Sequence, residues 1–138
     1  MRWLFVDASF LIAWIDPKDR LHSLVLDLVD DLFRQPIQLV TADAIVYEVL
    51  AFFSRRGEVL RAAAVETARE ILRERTLECV PVDRELLLRG IARYEQRPDK
   101  TYSLVDCISM EICDDRGITE VLTYDEDFVR EGFAALLR

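Results

Sequence analysis

The sequence contains little of the residue types that mark several specialised protein classes. Its 138 residues include three cysteines and one histidine, His22. Cys79, Cys107 and Cys113 are odd in number and show no Cys-x-x-Cys spacing, which predicts reduced, buried thiols and argues against a disulfide framework or a zinc site. A single histidine also excludes a metal site built from several histidines and makes a catalytic triad built on histidine improbable.

Long hydrophobic runs, internal repeats and low-complexity segments are absent as well. No apolar run approaches the ~18–20 residues that a membrane span needs. Asp7 interrupts the apolar N-terminus where the core of a signal peptide would continue. We therefore expect a cytoplasmic protein without a membrane partner. Because 51% of the residues are hydrophobic and 32% are charged, this length predicts a single globular domain over residues 1–138.

Basic residues are outnumbered by acidic ones, and the net charge is −8. Such a charge argues against general electrostatic adhesion to nucleic acid or to an anionic membrane. It leaves room for an enzyme whose acidic side chains hold metal ions against a phosphate group.

The hydrophobic pattern alternates between short apolar runs and helical periodicity. It predicts strands at residues 3–6, 37–40, 77–82, 121–123 and 133–137, and helices at residues 9–15, 19–34, 42–56, 58–74, 84–95 and 103–116. Strands that alternate with helices indicate an α/β fold, with a parallel sheet covered by helices on both faces.

Three aspartates occupy positions next to the ends of these elements. Asp7 follows the first strand and Asp125 follows the fourth, and ligands of open α/β sheets bind beyond such carboxyl ends. Either residue could instead cap a helix or turn, and Asp127 competes with Asp125 for any functional role. Asp106 stands three residues after Ser103, as in a capping box, which is compatible with a metal ligand.

Glu48 gives the strongest single signal. Its neighbours three and four positions away along the predicted helix are apolar, and a carboxylate on such a face must be paired, coordinated or neutral. An ion pair with Arg55 or Arg56 would be the structural explanation. We favour a functional role, because perturbed buried acids are concentrated in functional sites.

The four carboxylates Asp7, Glu48, Asp106 and Asp125 would repel one another if the fold gathered them at one edge of the sheet. The repulsion would reach about 4 kcal/mol per close pair at an effective dielectric constant of 20. A cation would remove that penalty, and ligands that are all oxygen select hard ions, so the cluster implies Mg²⁺ or Mn²⁺.

Four segments resemble the PIN domain, and in their order and context most resemble the VapC-type toxins of prokaryotic toxin–antitoxin pairs. They are FVDASFLIA (5–13), TADAIVYEVL (41–50), SLVDCIS (103–109) and LTYDEDF (122–128). The resemblance implies a three-layer α/β/α sandwich on a five-stranded parallel sheet. It also implies a divalent-metal-dependent endoribonuclease, frequent homodimers and an antitoxin protein that covers the site.

Carried over position by position, the resemblance makes Asp7, Glu48, Asp106 and Asp125 the catalytic and metal-binding quartet. Asp125 is chosen over Asp127 because it stands nearer to the strand end. Small hydroxyl side chains that support the site in the family correspond to Ser9 and Thr123. Cys107 follows the third acid, and we expect its thiol to point into the core.

The hypothesis is hydrolysis of an RNA phosphodiester with one or two divalent ions, leaving a 5′-phosphate and a 3′-hydroxyl. An acidic protein needs cationic and aromatic side chains for RNA, and the candidates are Arg55, Arg56, Arg93, Arg97, Lys100, Tyr102 and Tyr124. For any one of the five cations an ordinary solvated position is the favoured interpretation, and Tyr102 could instead seal the loop. A catalytically silent PIN-like module that binds a protein or RNA is the main alternative. A receiver domain fits poorly, because Ala8 follows Asp7 and no lysine follows Lys100.

Overall fold

The computed structural model describes residues 1–138 and contains five strands and seven helices. The strands are β1 (Arg2–Val6), β2 (Ile37–Ala42), β3 (Leu77–Val80), β4 (Glu120–Leu122) and β5 (Ala134–Ala135). The helices are α1 (Ala8–Ile15), α2 (His22–Leu32), α3 (Asp43–Phe53), α4 (Glu58–Arg73), α5 (Arg84–Glu95), α6 (Leu104–Arg116) and α7 (Glu126–Arg130).

All strands are parallel, as the sequence pattern predicts, and they lie in the order β3-β2-β1-β4-β5. Crossovers between parallel strands are right-handed, so a chain that moves outward through β2 and β3 and then returns to β4 places its helices on opposite faces. The contacts agree, because α1 packs on α2, α3 and α4, whereas α5 packs on α6. The fold is therefore the expected three-layer α/β/α sandwich.

The central strand β1 fixes where a ligand can bind. Leu4, Phe5 and Val6 are fully buried, as a strand covered on both faces requires. The chain leaves β1 in one direction towards β2, while β4 flanks β1 on the other side with Val6 paired to Leu122. The carboxyl ends of β1 and β4 thus form the switch point of the sheet, where open α/β folds place their ligand crevice.

Several boundaries differ from the sequence prediction for local reasons. The helix predicted at 19–34 begins only at His22, because the Asp16 and Asp19 carboxylates accept backbone N–H groups and form turns before it. The helix predicted over residues 42–56 ends at Phe53, and Gly57, at φ 93°, precedes the next helix. Helix α7 was not predicted, since five residues show no periodicity.

All three cysteines are free, as predicted, and Cys107 and Cys113 are buried in the hydrophobic core, whereas Cys79 is only half-buried, contrary to the prediction. Burial raises the pKa of the Cys107 thiol, which keeps it protonated. No helix combines the length and apolar character needed to cross a bilayer.

Candidate active site and metal centre

Asp7 lies at the end of β1 and is 6% exposed. It occupies the N-cap position of α1, but its side chain makes no capping hydrogen bond there. Its Oδ2 atom instead accepts a hydrogen bond from Thr123 Oγ1 at 2.7 Å. Burial raises the Asp7 pKa to about 6; the Thr123 bond opposes that rise, and the negative charges of Asp106 and Asp125 add to it.

The hydroxyl of Thr123 joins the ends of β1 and β4. Because its single proton goes to Asp7, the Ser9 hydroxyl is the donor in the 3.3 Å contact between Ser9 Oγ and Thr123 Oγ1. Thr123 Oγ1 also accepts from the Asp125 backbone N–H, and Ser9 Oγ accepts from that of Tyr124. Ser9 and Thr123 therefore support the site, as the resemblance implies.

Glu48 projects from the second turn of α3 towards this edge of the sheet. Its Oε1 atom is buried and has no hydrogen-bond partner. The ion pair considered from the sequence does not form, and the guanidinium of Arg56 lies 3.8 Å from the centre of the Phe52 ring instead. Burial and the charges of the three aspartates raise the Glu48 pKa to about 7. A buried carboxylate without a partner is costly, so this position calls for a cation or a proton.

Asp106 forms the capping box predicted at the start of α6. Its Oδ2 atom accepts from the Ser103 N–H at 2.9 Å, and Ser103 Oγ accepts from the Asp106 N–H at 3.0 Å. Burial raises the Asp106 pKa, the Ser103 bonds oppose the rise, and the charge of Asp125 contributes to it. The cap orients the carboxylate and leaves Oδ1 without a bond inside the cap.

Asp125 and Asp127 both lie next to Asp106, and the three carboxylates offer oxygens within 4.8 Å of one another. The two competitors differ in their partners. Asp127 is buried, and its Oδ1 atom accepts from Arg130 at 2.6 Å. Asp125 Oδ1 accepts the Asp127 backbone N–H, and the Asp125 charge raises the pKa of both Asp7 and Glu48. The charge of Asp125 is thus felt by Asp7 and Glu48, whereas the charge of Asp127 is offset by its ion pair with Arg130.

The donor set fits a hard divalent ion. It contains only carboxylate and hydroxyl oxygens, it includes an orphaned buried oxygen of Glu48, and burial together with the mutual repulsion of the acids raises the pKa values of Asp7 and Glu48. Hard cations bind such ligands and relieve the repulsion.

The cations that the sequence suggested for RNA binding are mostly engaged elsewhere. Arg93 pairs with Glu111, Asp114 and Glu131, and Arg97 also pairs with Glu131. The Tyr102 hydroxyl donates to Glu131, and Lys100 pairs with its neighbour Asp99. Arg93, Arg97 and Tyr102 thus connect α5, α6 and the segment between them to Glu131 after α7, which leaves these three side chains less available for RNA.

Two arginines that the sequence analysis missed contact a residue that adjoins the site in the chain. Arg20 precedes α2 and Arg138 follows β5, and both contact Tyr124, the residue between Thr123 and Asp125. Arg20 is 104 residues away from Tyr124 along the chain. No local pattern could have indicated this cluster, because only the packing of the sheet brings its members together.

Comparisons with known proteins agree with this architecture. The family model of the PIN domain matches residues 4–133, and the chain belongs to the PIN domain family. Its fold is similar to that of VapC20 from Mycobacterium tuberculosis, described as a toxin that cleaves the sarcin–ricin loop. The TM-score is 0.84 and the sequence identity 24%, over 95% of this chain and 96% of that chain. A comparison with curated protein sequences gives no match.

Proposed function

We propose that this protein is a divalent-metal-dependent endoribonuclease and the toxin of a toxin–antitoxin pair. The observation that carries the proposal is the buried, unpartnered Oε1 atom of Glu48, in a carboxylate whose pKa is raised by burial and by the charges of three aspartates at the carboxyl edge of a PIN-domain sheet. The RNA-cleaving activity described for VapC20, whose fold is similar, supports the choice of substrate.

In this proposal Asp7, Glu48, Asp106 and Asp125 hold one or two Mg²⁺ or Mn²⁺ ions and are the catalytic residues. When bound, a divalent ion lowers the pKa of water and stabilises negative charge on a phosphate. Thr123 keeps Asp7 oriented through the 2.7 Å hydrogen bond, and the Ser103 cap does the same for Asp106.

Cleavage of a mixed-sequence single-stranded RNA tests the proposal, with Mn²⁺, Mg²⁺ or EDTA present and without antitoxin. Asp7→Asn should abolish cleavage, because it removes an anionic ligand while keeping a hydrogen-bond acceptor for Thr123. Asp30→Asn removes an exposed carboxylate on α2 and should leave cleavage unchanged. Binding of Mn²⁺, followed by calorimetry, gives a readout that does not depend on finding the right RNA.

Each result has a definite meaning. Metal-dependent cutting that is lost in Asp7→Asn supports the nuclease. Mn²⁺ binding without cutting would direct the search to structured RNA, such as the sarcin–ricin loop that VapC20 cleaves. An absence of both Mn²⁺ binding and cutting would refute the metal site and favour a silent binding module.

We further propose that an antitoxin protein and a second copy of the chain are partners, and that the protein acts in the cytoplasm. Exposed apolar side chains support a covered surface, since Leu24, Leu26 and Phe33 on or next to α2 are each more than 40% exposed. The adjacent open reading frames test the antitoxin, and light scattering of purified protein tests the dimer.

A further inference from the structure

Two arginines gather around Tyr124, the residue between Thr123 and Asp125. The Arg20 guanidinium carbon lies 4.3 Å from the centre of the Tyr124 ring, and that of Arg138 lies 4.8 Å from it. Both distances are within the range of cation–π contacts. Arg20 also donates to the Tyr124 hydroxyl at 3.3 Å, and Arg138 donates to the Tyr124 carbonyl at 2.9 Å.

These two arginines are not neutralised by acids as most cations near the sheet are. Arg93, Arg97 and Arg130 all pair with carboxylates. The recorded bonds of the Arg20 and Arg138 guanidinium groups go to Tyr124 alone, and both residues are exposed. In a chain of net charge −8, two exposed cations held by the same tyrosine, which directly precedes Asp125 in the chain, offer a local site for an anion.

The backbone around the cluster is held in place. The turn that carries Arg20 is fixed by the carboxylates of Asp16 and Asp19, which accept the N–H groups of Lys18 and Leu21 at 2.9 Å. The two carboxylates therefore form their hydrogen bonds within the turn and not with Arg20.

The C-terminal segment is anchored to the same edge of the sheet. The Leu137 N–H donates to the Thr123 carbonyl at 3.1 Å, and the Leu137 side chain is buried. Arg138 therefore follows an anchored residue, and Tyr124 itself is tied to Ser9 through its backbone N–H. A binding surface whose parts are already ordered loses less entropy when a ligand binds.

We propose that Arg20, Tyr124 and Arg138 form a subsite for the RNA backbone next to the scissile phosphodiester. The two guanidinium groups would bind a phosphate through several N–H donors, and their planar faces would accept an unstacked base. The tyrosine ring orients both arginines, so its role is to position them and not to stack a base itself. This assignment rests on the proposed ribonuclease function and names how the same site holds its substrate.

The subsite also solves an electrostatic problem. Four carboxylates beside a phosphate would repel RNA unless cations offset the negative charge. Metal ions would do so at the carboxylates, and Arg20 with Arg138 would do so for the RNA backbone without being metal ligands. The arginines should therefore affect RNA binding much more than metal binding.

Equilibrium binding of a short fluorescent single-stranded RNA tests the subsite in the Asp7→Asn protein, which binds without cutting. Adding Arg20→Ala and Arg138→Ala together should weaken binding about tenfold and lower the slope of log affinity against log salt by about 1–2. The matched control is Arg75→Ala, which removes an exposed arginine before β3, at the opposite edge of the sheet. It should change the affinity less than about twofold.

Cleavage kinetics of the protein that retains Asp7 provide a second test. In the Asp7-containing chain the double arginine variant should raise KM for RNA with little change in kcat, and its affinity for Mn²⁺ should stay within about twofold. Because the double variant removes two charges and Arg75→Ala removes one, a loss in the double variant no more than about twice that of Arg75→Ala on the logarithmic scale would mean that only net charge matters, and would overturn the subsite. If the wild type cuts RNA and the double variant cuts it equally well, the nuclease stands and the subsite falls. Arginine-dependent RNA binding by a protein that neither binds Mn²⁺ nor cuts RNA would refute the nuclease and leave the arginines as an RNA-binding surface without a scissile phosphodiester.

Discussion

Replacing Asp7 with asparagine should stabilise the metal-free protein at neutral pH. The Asp7 pKa is about 6 in the folded state against 3.8 for an ordinary aspartate. Burial is the main cause, and the hydrogen bond from Thr123 offsets only part of it. The difference of about two pKa units means that ionised Asp7 costs the folded state about 3 kcal/mol above pH 6.

The sign follows from proton linkage. Because the folded state holds its Asp7 proton more tightly than the unfolded chain does, it binds more protons between about pH 4 and pH 6. Stability is therefore lost as the pH rises through that window. Asparagine is neutral at every pH and can still accept from Thr123. The variant should gain ~1–3 kcal/mol over the wild type at pH 7.5, and little at pH 4.

Thermal unfolding in EDTA at several pH values measures this effect. For a chain of this length the gain corresponds to a rise in Tm of roughly 4–10 °C. Asp30→Asn should show no such rise. Mn²⁺ should reverse the order, because an ion that binds only the folded state stabilises the wild type by mass action and the variant much less. A variant that is less stable than the wild type at pH 7.5 in EDTA, or a gain that does not change with pH, would refute the reasoning.

Three further substitutions probe the scaffold around the site. Glu131→Gln should destabilise the fold by ~1–3 kcal/mol in urea unfolding, because a carboxylate that pairs with two arginines and is 11% exposed loses its charge. Gly90→Ala should cost ~1–3 kcal/mol by the same assay, since a Cβ atom there would lie 2.5 Å from Ile108 Cγ1. Thr123→Val removes the donor that lowers the Asp7 pKa, so the pH at which metal binding reaches half its maximum should rise; an unchanged profile would contradict that role.

The order of the elements was predictable because each one carries its own local signal. Three consecutive buried residues, Leu4, Phe5 and Val6, mark a strand covered on both faces, and Gly117 at φ 65° ends α6 as its position predicts. The shortest elements were the least predictable. Strand β5 contains two residues and helix α7 contains five, and hydrogen bonds to neighbouring elements, rather than periodicity, hold such short segments.

The acids of the candidate site were predictable for a different reason. A carboxylate next to the end of a buried strand, or on an apolar helix face, conflicts with its surroundings, and that conflict is visible in the sequence. Glu48 is the clearest case. The apolar face around it is only partly buried, because Ala51 and Phe52, three and four residues further on, are exposed, and Oε1 is its buried, unpartnered oxygen. The side chains that orient these acids gave weaker signals, since a serine or threonine after a strand is ordinary.

The cations of the proposed RNA subsite could not be found by local reasoning. Arg93 and Arg97 were candidates because they lie around a loop, yet both pair with Glu131, an acid more than 30 residues away. Arg20 and Arg138 looked unremarkable, and they remain available because Tyr124, an aromatic ring, holds them instead of a carboxylate. Whether an arginine can bind a phosphate depends on which partner the fold gives it. That partner is set by the sheet order, so the acids of such a site can be predicted from sequence before its cations can.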